Sequence, residues 1–351
     1  MNDLLPQKRK YTLSLRVALP FCILVLFILD LFLGSVHIPV GEILEIIFTG
    51  QSSKVSWTNI IWQFRMPRAI TALLVGAALS VSGLQLQTLF RNPLAGPFVL
   101  GISTGASLGV ALMVMAGSIL GAVFSFYMNS WLIILASTIG SSLVLFLVLA
   151  ASFKVRDSMT LLIIGLMFGS FTGAIVSVLQ FYSNSEEIKI YLIWTMGSLG
   201  RLSWEQIIIL TPIVIAGIGL SFSMIRPLNT LLLSENYALS MGVNIKKVRL
   251  IIIISTSILA GSVTAFCGPI AFVGLAVPHL TRLLINTSDH KYTLPAVAMG
   301  GIITMFICDI VSQIPNSEFV LPINAVTSLI GAPVVVWVLI RKKNINRAFG
   351  K

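Results

Sequence analysis

Ten apolar stretches, each close to the length of a membrane-crossing helix, constrain the fold of this chain more than any motif does. A helix needs about 20 apolar residues to cross the hydrocarbon core of a bilayer. The chain is 56% hydrophobic and 10% charged, whereas soluble domains have roughly a quarter of charged residues. We therefore expect an all-α polytopic membrane protein, with one transmembrane domain over residues 1–351. The predicted spans are 17–34, 67–90, 98–117, 131–152, 159–182, 206–225, 249–267, 270–285, 294–312 and 321–340.

The distribution of Lys and Arg predicts which side of the membrane each loop faces. Eighteen of the 23 basic residues fall in alternate gaps between the spans, and the other gaps contain Lys54, Arg65, Arg68, Lys189 and Arg201. Basic loops remain in the cytoplasm during insertion, so we expect about ten helices with both termini cytoplasmic. The net charge of +11 is then explained by the basic cytoplasmic loops. We expect membrane lipid as a partner and no nucleic acid.

Ionisable residues within the spans are few. Asp30 and Asp309 stand near the predicted outer ends of their spans. Because a charge in lipid is costly, we expect a local hydrogen bond at each rather than a proton relay. An ion-coupled secondary transporter usually has more acidic residues near the membrane centre, and it remains the alternative of another class.

The sequence contains no GxxxxGK[ST] motif, which would bind nucleotide phosphates. ATP-driven transport would therefore need a separate ATPase subunit. Clustered catalytic groups and metal-ligand spacings are also missing from the sequence. We expect a transport subunit rather than an enzyme, with no catalytic residue, metal or cofactor of its own.

Small residues on one face of a span predict close contacts between helices. Gly165, Gly169 and Gly173 are spaced by four residues in the fifth predicted span. They could form a packing seam within one subunit. They could also lie at a two-fold interface or along a central pathway, and the sequence leaves both interpretations open.

A series of motifs follows in a fixed order from about residue 60 to 340. They are Arg65-Met66-Pro67-Arg68, Gly76–Gly83, Leu89–Ala95, Leu100–Ala106, Trp194–Leu199, Phe272–His279, Asp289-His290-Lys291 and Gly331-Ala332-Pro333. Together they resemble the FecCD family, the permease subunits of ABC importers for iron-siderophores, haem and cobalamin. The resemblance implies ten helices per subunit, a homodimer with the pathway on its axis, and the bacterial cytoplasmic (inner) membrane. It also implies two cytoplasmic ATPase subunits, which bind ATP and magnesium, and a periplasmic or surface substrate-binding protein.

The resemblance assigns a role to the two arginines of the first motif. In the family they meet acidic residues of the binding protein, and here they correspond to Arg65 and Arg68. The alternative is that they anchor a helix end at the lipid headgroups. Some family members have a third arginine at the outer end of the ninth helix, where this chain has Gln313.

The cytoplasmic loop of residues 226–248 resembles the coupling helices of the family. Its small and apolar residues would sit in a cleft of the ATPase, and a solvated loop is the alternative. The inner turn before the fifth span and the glycines that follow correspond to a gate and pathway lining. The residues expected to couple are Glu235, Ala238, Leu239, Met241 and Gly242, and those of the gate and pathway are Ser158, Met159, Thr160, Gly165, Gly169 and Gly173.

These features predict the membrane-spanning permease of a binding-protein-dependent ABC importer. We expect it to move an iron chelate such as a ferric siderophore by ATP-driven alternating access. Haem and cobalamin are the alternative solutes within the same class.

Overall fold

The computed structural model describes residues 4–34, 36–50, 52–120, 130–155, 158–313 and 320–340. All regular secondary structure in these residues is helical. The all-α prediction is thereby confirmed. The helices are α1 (Leu4–Phe32), α2 (Val40–Thr49), α3 (Val55–Asn59), α4 (Met66–Phe90), α5 (Ile102–Leu120), α6 (Ser130–Lys154), α7 (Ser158–Tyr182), α8 (Ser185–Thr195), α9 (Trp204–Ser223), α10 (Ile225–Leu233), α11 (Glu235–Ser240), α12 (Ile245–Cys267), α13 (Val273–Ile285), α14 (His290–Ser312) and α15 (Ile323–Ile340), with a π-helix at Ile60–Arg65 and a 3₁₀ turn at Pro97–Leu100.

Each predicted span coincides with one of these helices. Among the described residues, six helical segments are long and apolar enough to cross a membrane, as expected for a polytopic membrane protein. The third and eighth spans, which Gly and Pro interrupt, are shorter helices. The six are Val55–Phe90, Ser130–Ser152, Met159–Tyr182, Trp204–Ser223, Ile245–Cys267 and His290–Ser312, and the shorter apolar helices are Val17–Phe32, Ile102–Met115, Val273–Ile285 and Ile323–Trp337. The number ten and the cytoplasmic termini stay predictions, and residues 1–3 and 341–351 lie outside the described residues.

α4 is the central helix of the bundle and packs against α14, α12, α13 and α9. Every α4 residue from Leu74 to Phe90 is buried. Gly76 faces Gly301 of α14, and a Cβ atom on either would collide with the backbone of the other. Between helices in lipid, close van der Waals contact at such small-residue seams replaces the hydrophobic force. The glycine at position 76 of α4 therefore allows the backbone of α14 to approach closely.

A second glycine seam joins α5 to α6. Gly105 and Gly109 of α5 lie against Gly140 and Ala136 of α6, again with no room for a Cβ atom on the α5 glycines. α5 and α6 thus form a tight pair beside the α4 core, and α7 packs on the other side of α5.

The segment between α1 and α4 contains α2, α3 and the π-helix. α2 buries Ile43 and Ile46 against this segment. Glu42 accepts hydrogen bonds from the Ser53 hydroxyl at 2.7 Å and from the Ser53 N–H at 3.0 Å. These bonds lower the pKa of the exposed Glu42 carboxyl and hold the connection after α2 in place.

Candidate functional site

The first arginine motif lies where the π-helix changes to α4. Pro67 stands at the start of α4, and its ring would clash with a carbonyl in the preceding turn of a regular helix. The wider π turn before it leaves room for the ring. This turn also determines the directions of Arg65 and Arg68, one on each side of Pro67.

Arg65 is buried and binds the end of α1. Its Nη1 donates to the carbonyl oxygens of Leu31 at 2.7 Å and Phe32 at 3.1 Å, and its Nη2 donates to Val36. The last carbonyls of a helix have no partner within that helix, so Arg65 serves as their cap. The carbonyl oxygens that Arg65 binds belong to this chain, so its role in docking and its contact with lipid headgroups both stay predictions.

Arg68 forms a bidentate ion pair with Asp309 of α14. Its Nε lies 2.8 Å from Asp309 Oδ2 and its Nη2 lies 2.7 Å from Oδ1. Nη2 also donates to Ser312 at 2.7 Å. The Asp309 side chain is fully buried and the Arg68 side chain is 16% exposed. The expected local hydrogen bond at Asp309 is therefore present, with a partner that the sequence does not reveal.

Gln313 connects two buried acids at this end. Its Nε2 donates to Asp30 Oδ1 at 3.2 Å and to Asp309 Oδ2 at 3.1 Å. The amide thus provides one N–H to each carboxylate. We call Arg65, Arg68, Asp30, Asp309 and Gln313 the outer cluster. Gln313 stands at the end of α14 as predicted, but it points its donors at these internal acids.

Two cavities border Arg68 on the outer face. One, of about 280 Å³, is also lined by Arg65, Gln313 and Gly200. The other, of about 250 Å³, is lined by Arg68, Gly200 and Arg201. Arg68 Nη1 lies near Gly200. Because Nε and Nη2 bind Asp309, the N–H groups of Nη1 remain available for an incoming carboxylate. Arginine suits this use because its donors are fixed in a plane.

The predicted coupling loop forms two short helices, α10 and α11. Leu228 and Leu231 of α10 are buried, and Ala238 of α11 is fully buried against the same core cluster. Glu235 pairs with Arg249 of α12 at 3.5 Å. These contacts fix α11 on the bundle.

The exposed side of α11 combines the polar Asn236 and Ser240 with large side chains. Leu239 and Met241 are each 57% exposed, and Tyr237, which sequence reasoning missed, is 48% exposed. We call these three residues the inner knob. Gly242 follows in the left-handed region at φ 79°, with open space around it. Of the five predicted coupling residues, Glu235 and Ala238 therefore contact the bundle, whereas Leu239, Met241 and Gly242 face away from it.

Two ties hold α10 to the core helices. Arg91, at the end of α4, donates to the carbonyls of Leu232 and Leu233 at 3.3 and 3.2 Å. Asn229 bonds to Asp289 and His290 at the start of α14. The sequence singled out the Asp289-His290-Lys291 motif but gave no role to Asn229, which lies 60 residues away from Asp289 in the chain.

The predicted gate and pathway residues all belong to α7. Gly165 lies against Gly101, which ends the 3₁₀ turn before α5, and Gly169 lies beside Thr104 of α5, so these two glycines form a packing seam within the subunit. Gly173 is exposed with nothing within 4 Å. Met159 and Thr160 are exposed near the start of α7, while Ser158 begins the helix and its side chain lies outside the described residues.

No group of three or more His, Cys, Asp or Glu side chains capable of holding a metal ion occurs among the described residues. Cys267 and Cys308 are buried free thiols. The outer cluster and the inner knob lie toward opposite ends of α4, whose 25 residues make it about 37 Å long.

Comparison with known proteins agrees with this geometry. The FecCD transport family model matches residues 22–341. This chain belongs to the FecCD transport family. It is therefore a membrane-embedded transport permease of the ABC class, and the resemblance predicted from the ordered motifs is confirmed.

Relatives of this FecCD permease cover most of its length. The ABC transporter permease protein YvrB of Bacillus subtilis is 35% identical and covers 92% of both chains. The hemin transport system permease HmuU of Yersinia pestis is 33% identical over 82% of this chain and 84% of its own. The vitamin B12 import permease BtuC of Klebsiella pneumoniae is 34% identical over 93% of each. A solved ABC transporter structure described as of the metal-chelate type, in an inward-facing conformation, has a TM-score of 0.80 at 28% identity and covers 93% of this chain and 98% of its own.

Replacing Asp309 with Ala in this FecCD permease should lower the free energy of unfolding by about 3 kcal/mol, because removing one partner of a buried pair leaves the other charge unpaired. Thermal unfolding of the detergent-solubilised protein measures the loss. The matched control is the double variant Arg68→Met with Asp309→Leu, which removes both charges and should unfold at a higher temperature than Asp309→Ala. Equal melting temperatures for the two would contradict a stabilising pair.

Proposed function

We propose that this permease is the membrane-spanning subunit of a binding-protein-dependent ABC importer that carries a ferric siderophore across the bacterial cytoplasmic membrane by ATP-driven alternating access. One observation carries the proposal. The outer cluster, with an available arginine edge, and the inner knob, an apolar projection, stand at opposite ends of one central helix. A transporter that must engage a cargo carrier on one side and a motor on the other needs this arrangement.

The solute assignment rests on the relatives. A structure described as of the metal-chelate type matches nearly the whole chain, which supports a chelated metal as the solute, and a ferric siderophore is the member of that class that we propose. HmuU and BtuC, named for haem and vitamin B12, make these two solutes the alternatives within the class. In all three cases the binding protein would select the solute and this chain would provide the route.

An exposed face of α7 supports a homodimer with the pathway at its axis. Ser170, Gly173 and Ser177 lie on one helical face and are all exposed. The two hydroxyls bond to carbonyls of their own helix at 3.1 Å. This small, polar patch lies beside the exposed apolar side chains of Leu166 and Phe181, and we infer that the face as a whole packs against a second subunit; it continues from Met159 and Thr160 at the proposed gate.

The ion-coupled alternative has less support. Asp30 and Asp309 are both engaged in the outer cluster. An ion-coupled carrier would need a carboxylate that can change partners near the middle of the membrane. The acids of the described spans therefore support a structural role.

Purified permease with its two ATPase subunits in lipid vesicles tests the function. We expect a binding protein loaded with a ferric siderophore outside and ATP with magnesium inside to give import. Haem and cobalamin offered on their own binding proteins give the comparison between solutes. Import that is driven by a proton or sodium gradient, with neither ATP nor binding protein, would reject the proposal.

Replacing Arg68 with Gln should weaken docking of the binding protein about tenfold, the worth of one charge-assisted hydrogen bond. Titration of the binding protein onto the permease–ATPase complex measures the affinity. Asp309→Asn, which disturbs the same ion pair but keeps the arginine, should retain tight binding. Lys189→Gln removes an exposed charge elsewhere on the outer face and should change little. Wild-type affinity in Arg68→Gln would remove this arginine from the docking surface.

Replacing Gly242 with Trp should uncouple ATP hydrolysis from import, whereas Gly242→Ala should retain most coupling. Both variants bear the same cost of a positive φ, roughly 1 kcal/mol. Among the described residues, apart from the adjoining ones, nothing lies within 4 Å of a Cβ atom placed on Gly242, so we expect the added bulk of Trp to act on a partner rather than on this chain. Import per ATP hydrolysed is the measurement. Equal ratios for Trp and Ala would show that no ATPase surface approaches this turn.

A further inference from the structure

The side chain of Asn229 joins α10 to the first turn of α14. Its Nδ2 donates to Asp289 Oδ1 at 2.7 Å. Its Oδ1 accepts from the backbone N–H of His290 at 2.8 Å and lies 2.8 Å from His290 Nδ1. Both ends of one amide are thus used on α14, and Asp289 itself caps that helix through the N–H of Lys291. A shift of α10 must therefore move the start of α14.

His290 extends this connection to α4. The residue is fully buried, and its Nε2 lies 3.0 Å from Thr88 Oγ1, two residues before the end of α4. Asn229 Oδ1 can accept only from a protonated Nδ1, and Nε2 then accepts from the Thr88 hydroxyl, whose one proton is shared with the Leu84 carbonyl oxygen at 2.9 Å. We call Asn229, His290 and Thr88 the inner relay. Arg91 also reaches α10 from α4, but its bonds are with the backbone and do not involve α14.

The two helices that the relay joins are held together along their length. Gly76 and Gly301 bring their backbones into contact midway, and Arg68 binds Asp309 at the outer ends. Packed interfaces move as bodies rather than bend continuously. A displacement of α10 by a motor is therefore carried through α4 and α14 together to the arginine that faces the outer cavities.

We propose that the inner relay is a positioning device that couples the inner knob to the α4–α14 pair. This inference rests on the proposed function, since it needs a motor at the knob. Thr88, His290 and Asn229 touch neither solute nor nucleotide. They act by making the start of α14 and the end of α4 follow α10 through each cycle.

Thr88→Val tests the relay, because valine keeps the shape of threonine and removes the hydroxyl. In vesicles that contain the complete transporter, we expect the solute imported per ATP hydrolysed to fall about 3- to 10-fold, the usual range for a residue within a coupling network. Basal ATP hydrolysis and assembly with the ATPase should be unchanged. Thr88→Ser keeps the hydroxyl and should restore the ratio, which a purely steric role of the position would not produce.

Asn229→Ala provides a second, half-buried variant with the same expected loss, and it decides the question if Thr88→Val does not assemble. The double variant should be no worse than the more severe single one, because both break one chain of contacts. A wild-type ratio in Thr88→Val, or losses that add in the double variant, would overturn the relay. If wild-type vesicles import nothing with ATP, the proposed function fails and the relay with it; if they import and Thr88→Val stays coupled, the relay alone is wrong.

Discussion

The backbone contact between α4 and α14 supports every other feature of this permease. Helices in lipid gain little from the hydrophobic effect, so they associate by close packing and by polar bonds. Gly76 and Gly301 provide the close packing. The contact brings Arg68 within reach of Asp309 at one end and Thr88 within reach of His290 at the other. A side chain at either glycine would separate both polar pairs at once.

The ion pair that α4 and α14 bury between them lies at the outer end of this helix pair. Arg68 and Gln313 donate to Asp309, and Gln313 shares its second N–H with Asp30. Buried ionic groups are costly unless each is bonded, and here each acid has a named donor. The arrangement leaves one edge of Arg68 toward the cavities. The nitrogens of Arg68 that bind Asp309, Nε and Nη2, are therefore different from Nη1, which we propose for docking.

The opposite end of the bundle, which we propose faces the cytoplasm, presents the inner knob. Tyr237, Leu239 and Met241 project from a short helix that Ala238 and the Glu235–Arg249 pair hold against the bundle. Polar bonds behind the knob connect it to α14 and α4. A rigid knob with a bonded base can transmit displacement, whereas a solvated loop would absorb it.

Much of this architecture can be predicted from sequence, because helices in lipid must satisfy their own backbone bonds. The lengths of the apolar stretches predicted the helices, the ordered motifs predicted the family, and the resemblance implied short coupling helices in residues 226–248, where the structure has α10 and α11. The pairing of Arg68 with Asp309, 241 residues apart, and the bonds of Asn229 to His290 depend on which helix faces which. Periodicity says that a helix has a small-residue face, but packing against a particular neighbour decides the partner. For the same reason only the tertiary structure turned Arg65 inward to cap α1 and left Arg68 with an edge on the outer cavities.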